Sequence, residues 1–207
     1  MVKIILVAAV LGALASLLKS TRIGDRGLEM VSKTAASIGF VVVGATAWSG
    51  GSPIATWLVV GLILCAAGDV LLLWERTFDA GLWTFLLGHV AYIVAFHHAL
   101  PFAAWPLFIA IALVPAGLGA LAWLWPHLKS KKIPVCAYIA VISVMVWGAV
   151  ATTISGRLGW MVAVGATLFY FSDLAVARDR FVVPGFINRL IGLPLYYVGQ
   201  ILIALSV

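Results

Sequence analysis

Read from its amino terminus, the chain alternates between long apolar runs and short interruptions of charged residues, glycine and proline. A hydrocarbon layer about 30 Å thick takes roughly 20 helical residues to cross, and clusters of polar residues, Gly and Pro mark the breaks between crossings. The pattern predicts eight such helices, at about 2–18, 33–48, 55–74, 81–99, 106–125, 134–153, 159–177 and 188–206. The short connections make successive helices antiparallel neighbours. The second helix is short and begins at Lys33. In the first, Ala13-Leu14-Ala15 has the look of a signal-peptide cleavage site, but a counterpart in the second half of the chain favours a permanent span.

Composition turns these helices into membrane spans. The 207 residues are 64% apolar and only 10% charged, with a mean hydropathy of +1.17. Water-soluble domains run at about 45–50% apolar and about 25% charged. A soluble enzyme, a disordered tail and a disulfide scaffold are thereby excluded. The expected fold is all-α, a polytopic membrane protein with eight transmembrane helices in one domain, residues 1–207. Cys65 and Cys136 lie inside apolar runs and imply no disulfide framework.

The formal net charge of +6 does not point to nucleic acid, because no basic patch interleaves with stacking aromatics. It reports orientation instead. Lys19, Arg22, Arg26, Lys33, Arg76, Lys129, Lys131, Lys132, Arg178, Arg180 and Arg189 fall at the odd-numbered connections, and only Lys3 and Arg157 fall at the other face. By the positive-inside rule the odd connections are cytoplasmic. Both termini of this multi-pass cell-membrane protein are then expected outside the cytoplasm.

Displacing the chain against itself by 104 residues pairs Asp69 with Asp173, Arg76 with Arg180, Gly81 with Gly185, Gly88 with Gly192 and Tyr92 with Tyr196. Asp, Arg and Tyr are scarce here, so their coincidence suggests two four-helix repeats, 1–103 and 104–207. An even number of helices per repeat makes the repeats parallel, with the site expected at their interface.

The paired aspartates are the chief chemical signal. Each lies roughly 8–11 Å inside the cytoplasmic boundary at 1.5 Å per residue. An Asp at the centre of a spanning helix costs about 2.5–3.5 kcal/mol on insertion scales. Two such costs in register call for a function, and a neutral acid beside a carboxylate suits general acid–base work. His89 and Tyr92 share one face of the fourth helix, and Tyr196 and Gln200 share one face of the eighth. Tyr138 adds a polar group from the sixth. Lys33 and Arg180 at the cytoplasmic mouth are candidate contacts for a lipid phosphate. His97, His98 and His127 fall near boundaries and form no zinc set with His89, so no metal or other cofactor is expected.

Gly68-Asp69-Val70-Leu71-Leu72 runs on to Phe78, Gly81, Phe85, Gly88, His89 and Tyr92. Then come Tyr138, Ser143 and Met145, Ser172-Asp173-Leu174-Ala175 with Arg180-Phe181, and Tyr196-Tyr197-Val198-Gly199-Gln200. In order and spacing these motifs resemble the YhhN family, which includes lysoplasmalogenases, over about residues 33–205. One departure is Thr34, where the family pattern has a proline after the helix-two lysine. The resemblance implies an eight-helix membrane hydrolase. Its lysophospholipid substrate, a lysoplasmalogen, would be cleaved at the vinyl ether bond to a fatty aldehyde and glycerophosphoethanolamine or glycerophosphocholine.

The residues suit that chemistry. Hydrolysis of a vinyl ether needs a proton donor for carbon, a negative charge beside the oxocarbenium ion and a base for water, as glycoside hydrolysis does. Asp69 and Asp173 are the candidate acid and base. His89, Tyr92, Tyr138, Tyr196 and Gln200 are candidates to orient substrate, water and carboxyls. The main alternative is a small-molecule or proton-coupled transporter, which parallel repeats with intramembrane carboxylates also fit. An intramembrane aspartyl protease and a scaffold held together by its aspartates are further alternatives.

Overall fold

The computed structural model describes residues 1–48 and 50–207. It is all-helical, with eight long helices: α1 (Val2–Ile23), α2 (Arg26–Ala45), α3 (Pro53–Leu71), α4 (Phe78–Ala99), α5 (Leu107–Leu124), α6 (Lys132–Ile154), α7 (Trp160–Ala177) and α8 (Phe186–Leu205). All eight are long and apolar enough to cross a membrane.

Their packing inverts the order of a water-soluble globule. The less apolar helices α4 and α8 bury the largest share of their residues, while the strongly apolar α1 and α5 bury the least. Lipid solvates an aliphatic side chain as well as a protein core does, so apolar helices gain little by burial. Polar side chains must find partners inside. The outward surface accordingly carries Ile4, Ile63, Leu87, Ile111, Leu118 and Ile191. The core is built around Phe40, Tyr92, Phe96, Phe169 and Tyr197.

The boundary between the first two helices differs from expectation. Polar residues 19–32 read as a connection, yet α1 continues to Ile23 and α2 begins at Arg26. Only Gly24 and Asp25 intervene. Gly24 takes a left-handed conformation (φ 74°) that closes α1. Asp25 caps α2 by accepting the Leu28 N–H at 3.0 Å. Lys33 therefore lies two turns inside α2, a length of helix that hydropathy alone leaves out. A second irregularity follows α7, where Arg178–Val182 form a π-helical turn before the chain reverses into α8.

Sequential pairs α1/α2, α3/α4 and α7/α8 make the most extensive contacts; α4 also packs on α6, and α8 on α2 and α1. At the tightest of these, α7 and α8 meet backbone to backbone. A Cβ built on Gly165 would lie 2.8 Å from the Gly199 carbonyl oxygen, and one on Gly199 would lie 2.8 Å from the Gly165 oxygen. Gly165→Ala therefore forces the helices apart, at about 1–3 kcal/mol. The expected result is a lower thermal unfolding midpoint in detergent. Gly119→Ala, where an added Cβ meets nothing within 4 Å, should leave the midpoint unlowered.

Candidate active site

A cavity of about 460 Å³ opens among the ends of α1, α2, α3, α7 and α8 and the start of α4. Both Asp69 and Asp173 line it, together with Lys33, Tyr138, Tyr196 and Arg180. The two aspartates meet different partners there.

Asp69, in the last turn of α3, is 3% exposed. Its Oδ2 accepts hydrogen bonds from Ser37 Oγ and from the Tyr196 hydroxyl, each at 2.7 Å. The Lys33 ammonium lies 3.4 Å from its Oδ1. Ser37 stands one turn after Lys33 on α2, so both reach the same carboxyl. The Tyr197 hydroxyl lies 3.1 Å from Ser37 Oγ and buttresses it from behind. Every partner of Asp69 is a donor, the environment a buried carboxylate needs.

Asp173 Oδ2 accepts from the Tyr138 hydroxyl at 3.0 Å and lies 3.5 Å from His89 Nε2. His89 is fully buried, and its Nδ1 lies 2.7 Å from the Phe85 carbonyl oxygen. A carbonyl only accepts, so Nδ1 carries the hydrogen and the tautomer is set. That leaves Nε2, a buried nitrogen with no hydrogen-bond partner, facing the carboxyl.

Aromatic rings form the floor below both carboxyls. Phe85, Phe169 and Tyr196 pack edge to face with centroids 5.2–6.2 Å apart. His89 lies against Phe169 at 4.6 Å and against Tyr138 at 5.2 Å. Gly68, beside Asp69, admits this floor; a Cβ there would lie 2.6 Å from Phe85 Cδ2.

The remaining expected residues divide. Tyr92 and Gln200 do not line the cavity. The Tyr92 hydroxyl donates to Gln200 Oε1 at 2.7 Å, and this buried pair ties α4 to α8. Arg180 stands at the mouth, where both terminal nitrogens bind Glu75 at 2.9 Å and the guanidinium lies 4.0 Å above the Phe78 ring. Arg189 joins Glu29 at 3.0 Å and Asp179 at 3.5 Å. Asn188 holds the same carboxylate from its amide at 3.0 Å. Arg76 is exposed. Ser37 and Phe169 are additions to the residues singled out in the sequence, while Phe85 and Tyr197 stood there in the motifs without a role at the site. For Ser37 the signal was present, in its helical spacing from Lys33.

Three similar proteins are lysoplasmalogenases. The chain is 35% identical over 156 residues to the lysoplasmalogenase TMEM86B of Rattus norvegicus, which covers 73% of this chain and 61% of that protein. It is 34% identical over 164 residues to the human lysoplasmalogenase TMEM86A, covering 74% and 66% respectively. Against the lysoplasmalogenase of Mycobacterium tuberculosis it is 37% identical over 153 residues, 68% of this chain and 55% of the relative. The matched stretch thus spans less than two thirds of each relative's own length. No solved structure matches. The family model described as YhhN matches residues 28–207, from within the first turn of α2 through the end of α8, and the chain belongs to the YhhN family.

Proposed function

We propose that this membrane protein is a lysoplasmalogenase: it hydrolyses the vinyl ether bond of lysoplasmalogens to a fatty aldehyde and a glycerophospho-ethanolamine or glycerophospho-choline. The observation that carries this reading is the single cavity faced by two unlike carboxyls, Asp69 among donors that include an ammonium and Asp173 against an imidazole nitrogen. The names of the relatives supply the substrate class.

The chemistry follows from that inequality. Protonation of the double bond at its β-carbon leaves an oxocarbenium ion, which a nearby carboxylate stabilises. Water adds at the α-carbon and gives up a proton to a carboxylate base. The hemiacetal then breaks its carbon–oxygen bond, and the glycerol oxygen leaves with a proton as the aldehyde forms. One acid and one base are sufficient, and each can return to its starting state. The rings of Phe85, Phe169 and Tyr196 exclude water from the floor, so charge–charge attraction inside is strong.

Lys33 has two tasks in this reading. It neutralises Asp69, and an ammonium has three donors, so it retains capacity for a phosphate oxygen entering from the mouth. Arg180 is the second phosphate contact, at the cost of its pair with Glu75. The positive-inside rule puts this mouth on the cytoplasmic face and both termini outside. We also read the two halves as parallel repeats, because α4 packs on α6 as α8 packs on α2.

Purified protein given a lysoplasmalogen should release aldehyde, and neither the saturated-ether nor the acyl analogue should yield any. Asp69→Asn and Asp173→Asn should each lower aldehyde release by at least about 100-fold with helical content and detergent unfolding midpoint retained. Fatty acid released from the acyl analogue would instead make this a lysophospholipase, and lipid or proton flux without hydrolysis would make it a carrier. Lys33→Met strands a buried carboxylate and should destabilise the protein by about 3–5 kcal/mol. Adding Asp69→Asn should recover most of that loss in a double-mutant cycle read by thermal unfolding.

A further inference from the structure

A second, smaller cavity of about 70 Å³ adjoins the first. Its lining is almost wholly apolar and includes Leu124 of α5, Val135, Ile139 and Ile142 of α6, and Leu174 of α7. Leu124 and Val135 belong to a small apolar cluster, packed around Ile139 and Phe181, that is separate from the main core. Phe78, Leu82, Tyr138, Asp173, Val176 and Arg180 line both cavities, whereas Asp69 and Lys33 line only the larger. One carboxyl therefore stands where the larger cavity, in which charged and apolar side chains mix, meets a smaller and almost wholly apolar one, and the other stands in the larger cavity alone.

A single-chain vinyl ether lipid has the same polarity break along its length. Its hydrocarbon chain begins at the double bond, and the glycerol and phosphate begin at the ether oxygen. We propose that the first carbons of the alkenyl chain of the substrate enter the apolar chamber between α4, α6 and α7, the rest of the chain running on toward the lipid, which sets its double bond beside Asp173 and makes Asp173 the proton donor. The inference rests on the lysoplasmalogenase reading and adds to it the site of the tail and the division of labour between the aspartates.

The groups around Asp173 suit the role. The proton passes from the Asp173 carboxyl to the β-carbon, the π electrons of the double bond form the new C–H bond, and the O–H pair stays on the carboxylate. The α-carbon and ether oxygen then share the positive charge. Asp69, ringed by donors in the larger cavity, takes a proton from the water that adds to the α-carbon. When the hemiacetal collapses, the C–O bond to glycerol breaks, the glycerol oxygen takes that proton from Asp69, and the hemiacetal hydroxyl gives its own to Asp173 as the aldehyde forms, so both carboxyls return to their starting states. The catalytic residues are then Asp173 and Asp69. His89, which acts on the reacting atoms only through the Asp173 carboxyl, is a positioning residue.

The test uses the wild-type chain in nanodiscs and a saturated 1-alkyl lysophospholipid with a diazirine within the first carbons of its chain. Irradiation should label peptides carrying Val135, Ile139 or Phe181, and excess unlabelled alkyl lysolipid should displace the label. Displaceable label on Leu17 of α1 or Met30 of α2, which line the larger cavity, would overturn the proposal. A kinetic arm uses Ile139→Trp, which narrows the chamber. The ratio of kcat/KM for an octenyl substrate to that for a propenyl one should fall about tenfold or more, and an unchanged ratio would overturn the proposal. The two readings fail separately. Chamber labelling without aldehyde release removes the activity and leaves the tail site standing, while aldehyde release with label on α1 or α2 does the reverse.

Discussion

A carboxylate withdrawn from water must be given hydrogen-bond donors and positive charge, and in a bilayer these can come only from neighbouring helices. That requirement decides which helices meet at the centre of this protein. Asp69 on α3 draws Lys33 and Ser37 from α2 and Tyr196 from α8. Asp173 on α7 draws Tyr138 from α6 and faces His89 of α4. Two side chains thus bring six of the eight helices into one arrangement. The two helices left out, α1 and α5, are those most exposed on their apolar sides.

Surrounding this centre are groups whose job is to hold shape. The close backbone contact of α7 with α8 fixes the helix carrying Asp173 against the helix carrying Tyr196. The buried Tyr92–Gln200 pair does the same for α4 and α8. At the mouth, the bidentate Arg180–Glu75 pair joins the α3–α4 connection to the π-helical turn after α7. Exposed ion pairs add little stability, usually 0–1 kcal/mol or about that. Here they also cancel charge locally, so the rim of the cavity is less basic than a count of its arginines implies.

Much of this was legible in the sequence, for a physical reason. Charged residues are expensive in hydrocarbon, so the eight spans and the two aspartates stand out against an apolar background. Partnership was harder to read. Tyr92 and Gln200 are as polar as Tyr196, yet they bind each other away from the cavity, because polarity announces a need for a hydrogen bond without naming its source. Lys33 looked like the opening residue of a helix; two further turns of α2 precede it, since helix length follows capping at Gly24 and Asp25 while hydropathy follows the depth of the bilayer. Ser37 went unnoticed because serine is inexpensive in a helix. Its meaning emerged only when α3 was laid beside it.

The uneven seating of the outer helices has its own consequence. α1 rests on both α2 and α8, whereas α5 has α6 as its one substantial helical neighbour. A span with few protein contacts takes its tilt mainly from the match between its own length and the hydrocarbon thickness around it. The wall that α5 contributes beside Leu124 is consequently the part of the molecule most responsive to the membrane itself. Thicker, sterol-rich bilayers and thinner ones should hold that wall at different angles while the buried carboxyls keep their partners.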